Sequence, residues 1–446
     1  MLRILTSTLL VAAMSALGSI GAPSATEIKY TVDQLDNGLK VIYNIDRSAP
    51  VVSCVLHYKV GSRDENPNLT GFAHFFEHLM FEATDDIERA KIPEYINAIG
   101  GNLNAHTSFD ETVYKFTVPS NEIKLPLWIE SSRMRRLKVE SEGVETQRGV
   151  VKEERSNRYD NQPYGTMLEK MMQGLFLDGS YSWTTIGSPD HINNATIEEF
   201  QKFYDNFYQP NNATLVIAGD IDLEETKNYV RAYFGGFEKG PEPARSQFNL
   251  KKVNGEKRET IYDEKAQLPA LFMGYHSPEI GSDDYYAMEL LTTVMAAGES
   301  SRMYRELVDE QQIAVQTQFV PLALQFSGAA IIVGIPKPGK DINDLEESID
   351  ELIEEVAEKG ITQKELEKVK NITIMQKAQS NRNVLEKAMA LARYESYYGD
   401  PSLINTEIDK YLAVTKADIQ RVAKKYFGEK NRVVLNYLPA SMKEGK

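Results

Sequence analysis

His74 and His78 stand one helical turn apart with Glu77 between them, an H-x-x-E-H order that reverses the H-E-x-x-H of other zinc-binding helices. On a helix, positions 74, 77 and 78 share a face, so two imidazoles and a carboxylate converge on one point. Imidazole is a favoured zinc ligand, and a carboxylate beside the metal can serve as general base. The chemistry this trio suggests is therefore metal-assisted hydrolysis. The element that must carry the trio is legible too. Phe72, Phe75, Phe76, Leu79 and Met80 recur at i, i+3, i+4, i+7 and i+8, which predicts a helix with one apolar face in a core and the polar trio on the other. The chain has only six histidines, and two of them fall on this one turn.

A hydrolytic zinc site takes a third protein ligand and keeps a position open for water. The helix-compatible run Glu145–Arg155 (ETQRGVVKEER) offers Glu153 and Glu154, which helical periodicity does not separate. Further along, Asn102–Phe109 and Thr112–Val118 have strand character, with Val113, Lys115 and Thr117 alternating against Tyr114, Phe116 and Val118. Gly100 and Gly101 allow another backbone to approach closely, and an edge strand here could accept an extended peptide by strand addition. His106, beside that strand, reads as structural rather than as a ligand. Cys54, within the apolar run Val51–Leu56, reads as an inert core residue.

These segments resemble the M16, or pitrilysin-type, metallopeptidase family, in the subfamily that includes the mitochondrial processing peptidase and its bacterial relatives. The resemblance rests on Gly71–Phe81 (GFAHFFEHLMF), Gly100–Thr112 (GGNLNAHTSFDET), Gln147–Arg155 (QRGVVKEER), Tyr208–Thr214 (YQPNNAT) and Ser300–Tyr304 (SSRMY), and so spans nearly all of the chain past its N-terminus. It implies that the third ligand is the glutamate of a V-x-x-E-R context, which is Glu154 and not Glu153. It further implies one Zn2+ per chain on His74, His78 and Glu154, Glu77 as the catalytic base, and substrate binding at Asn104 and Ala105. The S-ribosylhomocysteinases share the H-x-x-E-H order, but their chains are much shorter and rely on a catalytic cysteine for which Cys54 is no counterpart.

The fold that the resemblance implies is α+β, with two homologous domains, each a mainly antiparallel sheet with helices packed on one face. The sequence carries its own sign of duplication. Thr196, Phe200, Phe203, Phe207, Asn212, Leu215 and Val216 recur in spacing and character as Thr415, Ile419, Val422, Tyr426, Asn431, Val434 and Leu435. Val52–Val60 likewise resembles Leu271–His276. Glycine and proline cluster in Gly235–Ala244, a linker signal. The expected organisation is a signal peptide at 1–25, a zinc-bearing domain at 26–236, a linker at 237–256 and a second domain at 257–446. Where the first domain has its histidine pair, the second has Tyr285–Thr293, with none. The run Asp344–Val356 reads as an amphipathic helix with an acidic outer face.

Length and charge bound the rest. With 446 residues, 42% hydrophobic composition and a formal net charge of −15, the chain suits a large enzyme of two to four domains and argues against a nucleic-acid partner. Met1–Arg3, the apolar Ile4–Ala16 and the small residues through Ala25 read as a secretory signal, with cleavage after Ala22 or Ala25, a periplasmic location and no stable membrane anchor afterwards. A single cysteine rules out an intramolecular disulfide.

One departure from the family pattern bears on partners. Active relatives often carry an Arg and a Tyr in a stretch like L-R-x-x-x-G-L-A-Y, whereas Leu307–Val315 here has Val308 and Val315 at those places. The resemblance therefore implies a zinc-dependent endopeptidase acting on peptides or unfolded polypeptide segments in a closed chamber, as the metal-bearing subunit of a heterodimer. The companion would be a homologous subunit that lacks the zinc motif and supplies the Arg/Tyr pair. The alternative is a noncatalytic structural or peptide-binding member of the family.

Overall fold

Period-two alternation builds two sheets here, and each strand presents different residues to two different sets of helices. The computed structural model describes residues 27–245, 247–428 and 431–443, so the expected signal peptide at 1–25 lies outside the described residues. The first half runs β1 (Thr31–Gln34), β2 (Lys40–Ile45), β3 (Val51–Tyr58), α1 (Phe72–Leu79), α2 (Ile92–Ala98), β4 (Asn102–Thr107), β5 (Thr112–Pro119), α3 (Lys124–Arg136), α4 (Ser141–Arg155), α5 (Met167–Phe176), α6 (Pro189–Asn194), α7 (Ile197–Phe207), β6 (Ala213–Gly219) and α8 (Leu223–Phe234). The second runs β7 (Lys257–Asp263), β8 (Ala270–Ser277), α9 (Asp283–Ala296), β9 (Ala314–Ala323), β10 (Gly328–Pro336), α10 (Ile342–Lys359), α11 (Gln363–Ser380), α12 (Val384–Tyr398), α13 (Leu403–Ala413), α14 (Lys416–Tyr426) and β11 (Arg432–Pro439).

The sheets have the orders β1-β2-β6-β3-β5-β4 and β7-β11-β8-β10-β9. Apart from β1 they match strand for strand. β2 lies parallel to β6 and β7 parallel to β11, while the other neighbours are antiparallel. The repeated segments fall on α7–β6 and α14–β11. Thr196 with Glu199, and Thr415 with Asp418, close the same capping box at the two helix starts. In α10 the expected apolar stripe, Leu345, Ile349, Leu352, Ile353 and Val356, is buried.

The central strands of each sheet are buried on both faces, and one face is covered by a helix from the other half. In the first sheet Val41, Tyr43, Val52, Cys54, Leu56, Tyr114 and Phe116 join the helices of their own half. The alternate residues Ile42, Val55, Val113, Val216 and Ala218 meet Val384, Ala388, Leu391 and Ala392 of α12. The second sheet does the reverse. Phe272, Ile331, Val433 and Leu435 pack on Met171, Met172, Leu175 and Phe176 of α5. Polar ties follow the same exchange, with Lys387 paired to Asp46 and Lys40 to Glu395 on one side, and Lys170 bonded to Glu259 at 2.5 Å on the other. The segments expected as domains thus carry one sheet each and lend one helix each. The linker region is tied down as well, with Val253 N donating to Leu175 O at 3.0 Å and Arg245 Nη1 to Asp64 at 2.6 Å. Among the described residues no helix is long and apolar enough to cross a membrane.

Candidate metal centre

The helix that carries His74, Glu77 and His78 is fixed from three directions. Gly71 precedes it with φ of 95°, where a side chain would press against Ile186 O at 2.9 Å, so glycine is required at the turn. On the buried face, the Phe72 and Phe75 rings each lie 4.6 Å from Phe200 of α7, and Phe76 stacks on Phe203 at 5.4 Å. At the N-terminus, the buried Glu65 accepts from Gly71 N and Ala73 N at 2.8 Å each, and from Trp183 Nε1 at 3.1 Å. A helix leaves its first amide groups without internal partners, and this carboxylate takes two amides at that start. Burial lifts the Glu65 carboxyl to about 8 against the pull of those donors.

α4 brings Glu154 to the polar face of α1. His74 Nε2 and His78 Nε2 are 3.3 Å apart, and Glu154 Oε2 lies 3.4 Å from the first and 3.2 Å from the second. Ligands at about 2.0–2.1 Å from a tetrahedral zinc stand about 3.3–3.4 Å from one another, since the edge of a tetrahedron is about 1.6 times its centre-to-corner distance. The three donors fit that triangle without rearrangement. They number three, one fewer than a closed structural site uses, which leaves a coordination position open. Hydrogen bonding from the two imidazoles holds the Glu154 carboxyl well below the usual carboxylate range.

Glu153 and Glu154 have different surroundings. Glu153 points away, exposed, with Oε1 accepting from Asn157 Nδ2 at 3.1 Å. Arg158 takes the other oxygen of Glu154, Oε1, at 2.5 Å. Past Glu154 the chain winds into a π-helical turn, Ser156–Asp160. There Arg155 fastens the end of α4 to Glu169 on α5 at 2.7 Å and to Gly187 O at 3.2 Å. Among the described residues, His74, His78 and Glu154 are the one group of His, Cys, Asp or Glu side chains placed to share a metal ion. Tyr285–Thr293 lies within α9 and packs mainly into the second core.

Asn104 and Ala105 lie on β4, the free edge of the first sheet beside α1. Asn104 is exposed, and its Oδ1 accepts from Ala105 N at 2.8 Å. Thr107, the last residue of the same strand, donates from Oγ1 to Glu77 Oε2 at 2.7 Å. The sequence reading assigned Thr107 no role, although period-two alternation from Ala105 already puts it on the α1 face. His106 turns the other way, 3.3 Å from Glu111, which also contacts His57 at 2.7 Å. Burial works to raise Glu111, but His57 and His106 outweigh it and hold the carboxyl well below its ordinary value. Val308 is half-buried against the second core, and Val315 is exposed on β9, the free edge of the second sheet.

Residues 40–186 match the family described as Insulinase (Peptidase family M16), and residues 194–373 match the Peptidase M16 inactive domain. The zinc protease PqqE of Helicobacter pylori is 28% identical over 403 residues, covering 88% of this chain and 89% of that protein. The crystal structure of a protease from Helicobacter pylori has a TM-score of 0.87 and 27% identity, over 92% of this chain and 100% of that one. The periplasmic protease PqqL from Escherichia coli shares the fold, with a TM-score of 0.76 at 19% identity over 95% of this chain and 49% of that one.

Proposed function

The chain belongs to the M16 peptidase family, and from that premise we propose that it is a zinc-dependent endopeptidase cleaving peptides or unfolded polypeptide segments. The observation that carries the reading is the donor triangle of His74, His78 and Glu154, which has the spacing of three corners of a zinc tetrahedron, with Glu77 on the same helix as the two histidines. Those three residues hold one Zn2+ per chain, which when bound supplies Lewis acidity to the substrate carbonyl and to water. Glu77 accepts the proton of the attacking water and passes it to the leaving amine. The Asn104–Ala105 edge of β4 pairs with the extended substrate backbone and holds the scissile bond beside α1. This mode reads backbone more than side chains, which suits unfolded substrates of varied sequence.

The assembly is part of the same proposal. One chain supplies two of the four sheets that close a chamber, and it spans 49% of the length of the E. coli neighbour. Val308 and Val315 lack the charge-assisted and hydroxyl hydrogen bonds that an Arg/Tyr pair offers a substrate. A homologous companion without the zinc motif provides that pair, in the periplasm to which the Met1–Ala25 segment directs the chain. The test is to assay cleavage of an unfolded polypeptide by the isolated mature chain, then to titrate in the companion, with and without chelator. The expected result is weak activity alone, full activity at a 1:1 ratio, and loss on chelation that Zn2+ restores. Full activity of the lone chain defeats the heterodimer, and chelator-resistant cleavage defeats the zinc reading.

A further inference from the structure

We infer that Thr107 is a positioning residue that fixes the carboxylate of Glu77 from the strand on which substrate lies. The inference rests on the peptidase reading above and goes beyond it by assigning what aims the base. The hydroxyl of Thr107 donates to Glu77 Oε2 at 2.7 Å, and the geometry on both sides of that bond is constrained. Glu77 is held by α1. Thr107 ends β4, where it pairs with Thr112 of β5, and its branched Cβ limits χ1 to few rotamers.

The hairpin tip beyond Thr107 is anchored in its turn. Ser108 N donates to Glu111 O at 2.8 Å. Asp110 accepts from Tyr181 Oη at 2.7 Å and from Gln325 N in the second half at 2.9 Å. The donor is therefore set on a rigid element, so it directs the carboxylate rather than following it. A glutamate otherwise loses considerable rotamer freedom when it must hold one orientation, and this bond removes that freedom before substrate arrives. With Oε2 engaged, the second oxygen of Glu77 retains its lone pairs for the proton of water.

The placement has a consequence for the reaction. Ala105 and Thr107 are two apart on β4, so they share the α1 face, about 7 Å apart along the strand. A peptide added to this edge takes its register from the same strand that holds the base. The distance from carboxylate to scissile carbonyl is then set by one element, where small misplacements cost large factors in rate.

The test compares Thr107→Val, which keeps shape without the hydroxyl, with Thr107→Ser, which keeps the hydroxyl, in the mature chain with its companion. Thr107→Val is expected to lower kcat about 10- to 100-fold. KM, zinc affinity by chelator competition and Tm are expected to stay close to wild type. Thr107→Ser is expected to recover most of kcat, and Thr107→Val is expected to cause no further loss in a Glu77→Gln background, because the two residues then act as one unit. A kcat for Thr107→Val within twofold of wild type overturns the inference, as does an equal loss in Thr107→Ser accompanied by weakened zinc binding. Wild-type protein that cleaves no peptide even with its companion brings down the peptidase reading, and this inference with it, which is a different result from an active enzyme indifferent to Thr107.

Discussion

Glu153 and Glu154 share their chemistry and differ only in what surrounds them. Glu154 meets two imidazoles and Glu153 meets solvent and Asn157. Glu154→Gln should therefore weaken zinc binding by on the order of 100-fold or more, and Glu153→Gln should leave it within a small factor, as a chelator-competition titration would read. Equal loss in both would undo the ligand set. The H-x-x-E-H residues were legible in sequence because a single helix brings them together. The grouping of Glu154 with them was not, because α1 and α4 meet only through tertiary packing, and in the sequence only the V-x-x-E-R resemblance favoured Glu154 over Glu153. Glu65 was missed because it reaches the start of α1 from a loop that periodicity does not describe, and Thr107 because strand alternation gives its face without naming the helix that meets it. Glu65 carries a prediction with a sign. Its folded value of about 8 stands above its unfolded value of about 4.3, so its contribution to stability is whole below the latter and drains away as pH rises through the former. The Tm of wild type relative to Glu65→Gln should accordingly fall between about pH 5 and pH 8.5; a flat difference would contradict the burial of a carboxyl at the start of α1.

At the scale of elements, the exchange of α5 and α12 makes the two halves interdependent. Leu391 belongs by sequence to the second half, yet it is buried among Ile42, Val55 and Val216 of the first sheet. Leu391→Ala should cost about 2–4 kcal/mol and unfold the protein in one lowered transition, measured by calorimetry, with the first half losing stability together with the second. A transition in which only the second half shifted would show that the halves are energetically separate. The strands, their alternation and the Thr-capped helices of the repeat could be read from sequence because each is a local pattern. The exchange could not, since an apolar stripe on α12 states that a face is buried without naming the sheet that receives it. The first sheet is built from strands before residue 236 and the second from strands after 256, and chain order alone hides this crossing.

At the scale of the molecule, the donor trio His74, His78 and Glu154, the edge strand β4 and the edge strand β9 belong to one chain, and Val308 and Val315 stand where a polar pair was expected on the second half. The proposed function is that of a metal-bearing subunit whose substrate grip a homologous partner completes. Its net charge of −15 is consistent with a soluble surface and sets no nucleic-acid role. All of this depends on Glu77 acting as base beside a metal held by other residues. The most direct measurement is zinc content together with peptide cleavage for Glu77→Gln, assayed with the companion present. The account predicts one zinc per chain, as in wild type, and a rate lowered by about 100- to 10,000-fold, because the amide keeps the shape of the side chain and cannot take the proton. Cleavage at the wild-type rate by the zinc-loaded variant would contradict it.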